Sequence, residues 1–146
     1  MCKVERMYTA SMNSADVAII GAGPAGMMAS LRAAERGKKV LILEKNPTPG
    51  KKLSITGGGR CNILNNEPNT RSLLSHYGNS GKYLFSAFSR LSVPETIHFF
   101  ESNGLPLKTE ANNRMFPQSE SAPSVVSFFR TMLRKTGVEI ITNSPV

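Results

Sequence analysis

The apolar and polar positions of this chain predict short strands that alternate with helices. Two continuously apolar runs, Val17–Ile20 and Val40–Leu43, flank a stretch with helical spacing from Pro24 to Arg36. Continuous apolar runs of this length are typical of parallel strands that are buried on both faces. The order of strand, helix and strand therefore predicts a βαβ unit in an α/β fold.

The rest of the chain predicts further helices, a hairpin and a last strand. Residues 65–79 are polar and rich in turn formers, which predicts a loop or a short irregular helix. Apolar spacing and capping residues predict the other elements: helices over Lys82–Leu91, from Ser92 to Ser102 and over Pro123–Thr136, a hairpin over Leu105–Phe116 with its turn at Glu110–Asn113, and a buried strand over Val138–Thr142. The helical phenylalanines are expected in the core, namely Phe99, Phe100, Phe128 and Phe129.

Three glycines follow the first strand at the spacing G-x-G-x-x-G. Gly21 allows a tight turn, Gly23 lets the backbone approach a pyrophosphate, and Gly26 lets the helix pack close to the strand. Pro24 stands in the first helical turn, where its missing N–H breaks no hydrogen bond. Because a helix N-terminus carries free N–H groups and partial positive charge, we expect this one to face phosphates. Gly37 is expected to end the helix as a left-handed cap.

An acidic residue, Glu44, follows the second strand, 18 residues after Gly26 and 23 after Gly21. This is close to the spacing of the carboxylate that accepts a hydrogen bond from a ribose 2′-hydroxyl in dinucleotide-binding folds. A carboxylate here disfavours a 2′-phosphate, so FAD or NAD is expected rather than NADP. The competing interpretation is a glycine-rich turn in an ordinary α/β domain, with a solvated Glu44.

A second glycine-rich segment reads K-K-L-S-I-T-G-G-G-R-C-N at residues 51–62. Its three consecutive glycines, Gly57–Gly59, remove every Cβ from the loop surface and permit positive φ, which suits a planar ligand or a phosphate. The two lysines and Arg60 add positive charge, and the Asn62 amide can both donate and accept hydrogen bonds. These residues predict a ligand loop, and the alternative is a flexible basic surface loop.

Three segments together resemble the BaiN/YhiN-like flavoproteins, a family of NAD(P)/FAD-dependent oxidoreductases also described as aminoacetone-oxidase-like. They are E-K-N at Glu44–Asn46, P-G-K-K at Pro49–Lys52 and G-G-G-R-C-N at Gly57–Asn62. The resemblance extends from about Asp16 to the end of the chain. It departs at Leu64, which lacks the hydroxyl of the threonine that relatives carry there.

The resemblance implies FAD as the cofactor and NAD(P)H as its reductant. It implies that the glycine motif contacts the diphosphate, that Glu44 holds the adenosine ribose, and that the second segment borders the flavin. A main-chain contact from the residue after the last strand to the adenine is also implied. The implied cofactor-binding residues are Gly21, Gly23, Pro24, Ala25, Gly26, Glu44, Lys45, Lys51, Lys52, Gly58, Gly59, Arg60, Cys61, Asn62 and Val146. No residue stands out as a catalytic acid or base.

The predicted fold is α/β: a Rossmann-like FAD-binding fold with a parallel sheet, of which this chain holds the N-terminal part. We expect three parallel strands in the order 3-2-1 within residues 15–146, with residues 45–137 as a long insertion between the second and third strands. Uncovered apolar faces and self-association would follow. Residues 1–14 lack the apolar core of a signal peptide and are expected to be a disordered tail, with Met1, Met7 and Met12 all open as the start.

Composition narrows the classes of function. No apolar stretch reaches the length of a membrane span. The positive residues behind the net charge of +8 are scattered, and their densest group lies at the proposed cofactor loop, so nucleic-acid binding is not favoured. Cys2 and Cys61 form no C-x-x-C pair, which fits a reducing cytoplasm, and no metal site is expected at His76 or His98. Cys61 is interpreted as a small packing residue, the alternative being a thiol whose pKa is lowered by Arg60.

The preferred function is the FAD-binding part of a flavoprotein oxidoreductase that transfers hydride or electrons between NAD(P)H and a small organic substrate. Three alternatives stay open at this point. They are a non-catalytic nucleotide-binding fragment or remnant, a simple NAD-binding dehydrogenase domain, and a flavoprotein of the tRNA-modifying kind.

Overall fold

A computed structural model of the chain describes residues 14–146, so the predicted tail falls almost wholly outside the described residues. The chain divides into two compact units, one of residues up to Thr48 with Met132–Val146 and the other of Pro49–Thr131. The strands and helices, in chain order, are β1 (Val17–Ile20), α1 (Pro24–Ala34), β2 (Val40–Leu43), β3 (Leu64–Asn65), α2 (Thr70–Ser75), α3 (Gly81–Arg90), α4 (Val93–Ser102), β4 (Leu107–Glu110), β5 (Arg114–Pro117), α5 (Ala122–Lys135) and β6 (Glu139–Ile141). Short 3₁₀ segments lie at Leu53–Gly59, Gly78–Ser80 and Ala111–Asn113.

The first unit contains a three-stranded parallel sheet in the order β1-β2-β6. Val17–Ile20 pair in register with Val40–Leu43, and Leu41–Leu43 pair with Glu139–Ile141. The predicted order 3-2-1 is therefore confirmed. The central strand β2 carries the core of this sheet, because Ile42 is completely buried and hydrogen-bonded neighbours occupy both edges of the strand.

The outer strands are less buried than the sequence predicts. Val17 and Ile19 of β1 are half-buried, whereas Ala18 and Ile20 are exposed, and Ile20 keeps 69% of its surface. The expected burial of β1 on both faces is therefore wrong: β1 is an edge strand, and nothing within residues 14–146 covers the face that carries Ile20. The residues of β6 are likewise only half-buried.

The helix α1 packs close to β1 because Gly26 has no side chain. A Cβ at this position would overlap the carbonyl oxygen of Gly21, so the predicted reason for this glycine is confirmed. The helix ends at Ala34 rather than at Arg36. Gly37 follows with φ +74°, the left-handed conformation expected of a residue that terminates a helix.

The second unit contains an antiparallel sheet in the order β3-β5-β4. Strands β4 and β5 form the predicted hairpin, in which Leu107 lies opposite Pro117 and Glu110 opposite Arg114. The short strand β3 pairs with β5 and thereby connects the end of the glycine-rich loop to this hairpin. The segment 65–79, predicted as a loop or short irregular helix, begins at the last residue of β3 and contains the six-residue helix α2.

Four phenylalanines form the aromatic core of the second unit. Phe99 and Phe100 of α4 and Phe128 and Phe129 of α5 are each at most 9% exposed. Their ring centroids lie 5.2 to 5.9 Å apart, mostly edge to face, a geometry that adds to the burial of their surface. Their predicted role in the core is confirmed.

The helix α4 begins with the predicted capping box. The N–H of Ser92 donates to the Glu95 carboxylate at 2.7 Å, and the N–H of Glu95 donates to the Ser92 hydroxyl at 3.4 Å. These two bonds satisfy backbone donors that the first turn of a helix leaves free.

Among the helices described between residues 14 and 146, none has the length and apolar character needed to cross a membrane.

Candidate dinucleotide site and glycine-rich loop

The glycine motif after β1 forms a tight turn with an open backbone surface. Gly21 has φ +94°, which favours glycine, and its N–H donates to the Leu43 carbonyl at 2.8 Å. Gly23 has an ordinary φ of −78° and is the N-cap of α1. No atom of the described residues lies within 4 Å of a Cβ built at Gly21 or Gly23. The turn therefore leaves room for a ligand to approach the main chain closely.

The N-terminus of α1 adds free donors at the same turn. The first N–H that bonds within the helix is that of Met27, which donates to the Gly23 carbonyl at 2.9 Å. The N–H groups of Ala25 and Gly26 precede this bond, so they have no helical acceptor, and Pro24 has no N–H to satisfy. Together with the helix dipole, these donors can hold an anion.

Glu44 is buried beside the turn and bonded to it. The residue is only 6% exposed, and its Oε2 accepts the N–H of Ala22 at 2.7 Å. Its Oε1 accepts the N–H and the side-chain amide of Asn46 at 2.8 and 2.6 Å. Since a carboxylate offers about four acceptor positions, these three bonds from residues within 14–146 leave one, on Oε2, for a ligand hydroxyl.

The ionisation of Glu44 is fixed by the same bonds. The backbone N–H of Asn46, followed by that of Ala22, lowers the pKa of Glu44 below its ordinary value despite the opposing effect of burial. The site therefore presents a fixed negative charge at neutral pH. Such a charge suits a ribose hydroxyl and disfavours a phosphate at that position.

The segment after β6 returns to the residues that follow β2. The N–H of Asn143 donates to the Asn46 carbonyl at 3.1 Å, and the N–H of Ser144 donates to the Glu44 carbonyl at 2.9 Å. Two predicted ligand residues stand next to these bonds in the chain: Lys45, which is exposed, and Val146, which keeps 80% of its surface. Both are therefore accessible to a ligand.

The glycine-rich loop of the second unit has the backbone that its composition predicts. Gly57, Gly58 and Gly59 have φ values of +59°, +66° and +84°, so the expected positive φ is confirmed. A Cβ at Gly57 would lie 2.7 Å from the backbone nitrogen of Asn62, so this glycine is needed for the loop to fold back on itself. Nothing in the described part of the chain lies within 4 Å of a Cβ built at Gly58 or Gly59, which leaves their backbone bare.

The polar residues at the two ends of this loop differ in their contacts: the lysines at its start are exposed, whereas the Asn62 amide at its end is hydrogen-bonded to backbone. Lys51 and Lys52 are exposed at its start. Asn62 is also exposed, and the orientation of its amide that satisfies both carbonyls places the nitrogen 3.2 Å from the Leu64 oxygen and 3.1 Å from the Met115 oxygen. The amide therefore fixes the end of the loop to the β3–β5 pair and keeps its oxygen as an acceptor.

Arg60 lies in an ion-pair network with the hairpin of the same unit. Its Nη2 donates to Oε1 of Glu110, its Nε lies 3.5 Å from Oε2 of Glu120, and its guanidinium stacks 4.3 Å from the ring centroid of Phe116. Lys108 joins the network through Nζ, which is 3.1 Å from Oε1 of Glu110 and also bonds Glu120. The hydrogen bond to Glu110 raises the pKa of Arg60, and the same bond lowers the pKa of Glu110.

Cys61 is a packing residue. It is 1% exposed, and burial raises the pKa of its thiol. The alternative of a thiol whose pKa is lowered by Arg60 is therefore wrong, because burial shifts the pKa in the opposite direction. Cys61 also has φ +63°, so its conformation is strained for a residue that has a Cβ.

Several residues that hold the candidate site residues in place could not be identified from the sequence. Ala22 and Asn46 hold Glu44, and Glu110, Glu120 and Lys108 hold Arg60. The position of Asn46, two residues after Glu44, is a local pattern from which a side-chain contact could have been inferred. Glu110 is 50 residues from Arg60, and no local pattern connects them.

Within residues 14–146, no group of three His, Cys, Asp or Glu side chains is arranged to hold a metal ion.

The parallel sheet, the glycine turn and the buried acid after β2 together define a Rossmann-type dinucleotide-binding domain. Residues 15–146 match the family described as HI0933-like protein Rossmann domain, and the chain belongs to this family.

Two curated relatives are longer than this chain. The chain is 32% identical over 128 residues to 3-dehydro-bile acid delta(4,6)-reductase of Clostridium scindens, covering 86% of this chain and 30% of that protein. It is 30% identical over 135 residues to the ribosomal RNA dihydrouridine synthase of Escherichia coli, covering 92% and 33%. The chain therefore spans about a third of the length of these relatives.

Solved structures share the fold. A flavocytochrome c3 fumarate reductase in its open conformation matches with a TM-score of 0.66 at 23% identity, over 88% of this chain and 26% of that one. The 3-ketosteroid-delta4-(5alpha)-dehydrogenase of Rhodococcus jostii matches with a TM-score of 0.65 at 18% identity, over 94% and 39%. At these identities the likeness shows the fold alone.

Proposed function

We propose that this chain is the FAD-binding part of a BaiN/YhiN-like flavoprotein oxidoreductase that transfers hydride or electrons between NAD(P)H and an organic substrate. The observation that carries the proposal is the pairing of an open glycine backbone with a buried, ionised Glu44 that has one acceptor position left. FAD, when bound, supplies the redox chemistry, and the residues of the chain bind and orient it. A cytoplasmic location is part of the same proposal.

Each part of the first unit has its own proposed task. The open backbone of Gly21 and Gly23 and the free N–H groups at the start of α1 bind the diphosphate. Oε2 of Glu44 accepts a hydrogen bond from the adenosine ribose. Lys45 and the main chain at Val146 lie on the adenosine side of this proposed site.

The loop of the second unit is proposed to border the flavin, on the strength of the resemblance. Its bare backbone at Gly58 and Gly59 suits a planar ring, and the exposed Asn62 keeps an amide oxygen free to accept a hydrogen bond. The further residues proposed to contact the cofactor from this loop are Lys51, Lys52 and Arg60. Cys61, which is 1% exposed, is proposed to support the loop from within.

The first test is a titration of the purified chain with four ligands: FAD, FMN, NAD and NADP. FMN lacks the diphosphate-linked adenosine, so we expect FAD to bind and FMN to bind far more weakly. NADP should be rejected, because its 2′-phosphate would meet the ionised Glu44. Equal binding of FMN and FAD would contradict the proposed use of the glycine turn.

The second test separates a flavin site from a simple NAD-binding domain. The variants Arg60→Ala and Asn62→Ala should weaken FAD binding and leave NAD binding unchanged. Arg32→Ala is the matched control, since it removes an exposed cation on the surface of α1. If NAD binds, FAD does not, and both loop variants behave like the control, the chain is a dehydrogenase-type domain instead.

An RNA-modifying flavoprotein is the second candidate. It is favoured by the net charge of +8 and by the similarity to a ribosomal RNA dihydrouridine synthase. This candidate predicts binding to structured RNA that falls steeply as salt rises, because basic residues that neutralise phosphates release counterions. Binding that is absent at low ionic strength would exclude it for this part of the protein.

A further inference from the structure

The glycine-rich loop is attached to the β4–β5 hairpin inside the second unit, both at its end and at Arg60. The N–H of Ile63 donates to the Met115 carbonyl at 2.8 Å and, with the Asn62 amide, anchors the end of the loop. The guanidinium of Arg60 stacks on Phe116 and bonds Glu110. The middle of the loop is therefore held by one side chain, although its end is held by backbone pairing.

The position of Arg60 depends more on Glu110 than on its other partners. Its Nε is buried without a hydrogen bond, since the nearest carboxylate oxygen, on Glu120, is 3.5 Å away. Glu120 is half exposed, whereas Glu110 keeps only 26% of its side-chain surface and receives the direct hydrogen bond. Isolated surface ion pairs contribute little, but a shared network backed by an aromatic ring holds a side chain more firmly.

The loop also buries a strained residue next to Arg60. Cys61 adopts φ +63° with 1% exposure, and its N–H donates to the Thr56 carbonyl at 3.0 Å. A residue with a Cβ stays in this conformation only where its surroundings enforce it. The accessibility of the Cys61 thiol therefore reports whether the loop keeps its conformation.

We propose that Glu110 is a positioning residue: it holds Arg60 against Phe116 and thereby keeps the Gly57–Asn62 loop in the conformation that buries Cys61. Lys108 and Glu120 complete the network, in which two cations share two carboxylates. Glu110 is not itself among the predicted ligand residues, and it acts through Arg60, which is. Only the consequence for flavin affinity rests on the proposed function.

The experiment measures the rate at which iodoacetamide alkylates Cys61 in a Cys2→Ser background, where it is the single thiol of the chain. Glu110→Gln keeps the shape of the side chain but removes its charge, and should accelerate alkylation by about 5- to 10-fold. Glu110→Asp restores the carboxylate and should recover a large part of the protection. Glu35→Gln removes the exposed Arg32–Glu35 pair on α1, 2.7 Å long, and should leave the rate unchanged.

A double-mutant cycle shows whether Glu110 acts through Arg60. Arg60→Gln should accelerate alkylation by itself, and adding Glu110→Gln to that variant should have little further effect. The proposal is overturned if Glu110→Gln leaves the alkylation rate unchanged, or if its effect is the same with and without Arg60. Thermal unfolding followed by circular dichroism identifies any variant that is alkylated through global unfolding, and the alkylation of such a variant is measured again well below its unfolding midpoint.

The affinity for FAD is measured separately from the alkylation rate of Cys61, because each tests a different part of the account. Glu110→Gln should also weaken FAD binding by about the factor by which it opens the loop. If alkylation accelerates while FAD affinity stays the same, the positioning role stands and the assignment of this loop to the flavin fails. If alkylation does not change, the positioning role fails whatever FAD does.

Discussion

The substitution Gly26→Ala tests how closely α1 packs against β1. The position has no positive φ, so an alanine is allowed by its backbone conformation. Its Cβ, however, would overlap the carbonyl oxygen of Gly21 and lie 3.2 Å from the carbonyl carbon. It would also lie 3.3 Å from Cγ2 of Ile19, so α1 could accommodate it only by moving away from the strand.

Two opposing effects decide the size of the change. Alanine is favoured over glycine inside a helix by about 1 kcal/mol. Forcing extra atoms into a well-packed site costs about 1 to 3 kcal/mol or more, and a contact with backbone cannot be relieved by a side-chain rotation. Because the contact is with backbone, we take the upper end of that cost, about 3 kcal/mol, and expect Gly26→Ala to lower the free energy of unfolding by about 2 kcal/mol net.

Gly23→Ala is the matched control, three residues earlier in the same motif. Gly23 has φ −78° and nothing of the described chain within 4 Å of a built Cβ. A glycine-to-alanine change gains about 0.4 to 1 kcal/mol by restricting the unfolded chain, whereas alanine is a poorer N-cap than glycine by a similar amount. Gly23→Ala should therefore stay within about 0.5 kcal/mol of the parent.

Urea unfolding followed by circular dichroism measures both variants. With a slope of about 2 kcal/mol per molar, Gly26→Ala should lower the unfolding midpoint by about 1 M, and Gly23→Ala should leave it nearly unchanged. The reasoning is refuted if Gly26→Ala unfolds at the parent midpoint, or if the two variants lose equal stability.

Three further predictions concern single side chains. Glu44→Gln should cost about 1 to 3 kcal/mol at neutral pH by weakening the bond to the Ala22 N–H. Because folding lowers the pKa of Glu44, the parent keeps this stability above pH 4.5 and loses it as the pH falls through the pKa of the folded state. The stabilities of the two proteins should therefore converge in acid, and parallel curves of stability against pH would contradict the assignment. Ser92→Ala should cost about 1 kcal/mol in urea unfolding by removing the cap of α4, while Ser89→Ala, on the exposed surface of α3, should cost almost nothing; equal losses would exclude the capping role. Ile20→Ser should change stability by less than about 0.5 kcal/mol, since 69% of Ile20 is exposed, and a loss typical of a buried isoleucine would show that this face of β1 is covered.

The first unit could be predicted well from the sequence because its information is local. The apolar runs of β1 and β2, the glycines at the turn and the terminal Gly37 each act within a few residues. The burial of β1 could not be predicted, because an apolar run does not reveal whether another element covers both faces of the strand. Ile20 is exposed for this reason, although its sequence context is that of a buried strand.

In the candidate site, too, the residues with a local signal could be predicted from the sequence, and their long-range partners could not. Glu44 was found from its spacing, but the N–H of Ala22 that holds it lies 22 residues earlier and becomes its neighbour only when β1 and β2 pair. Arg60 was found from its charge in a glycine-rich loop. Its partner Glu110 becomes adjacent only because β3 and β4 both pair with β5, a register that no short pattern encodes.

The central claim is that the open backbone at Gly23 receives the diphosphate of FAD. The measurement that tests it most directly is the affinity of the chain for FAD, determined by calorimetric titration for the parent and for Gly23→Ala. Because the added Cβ would stand where the diphosphate approaches, the account predicts a loss of affinity on the order of 100-fold, about 2.7 kcal/mol, in a variant that is as stable as the parent. An affinity for FAD that is unchanged in Gly23→Ala would contradict it.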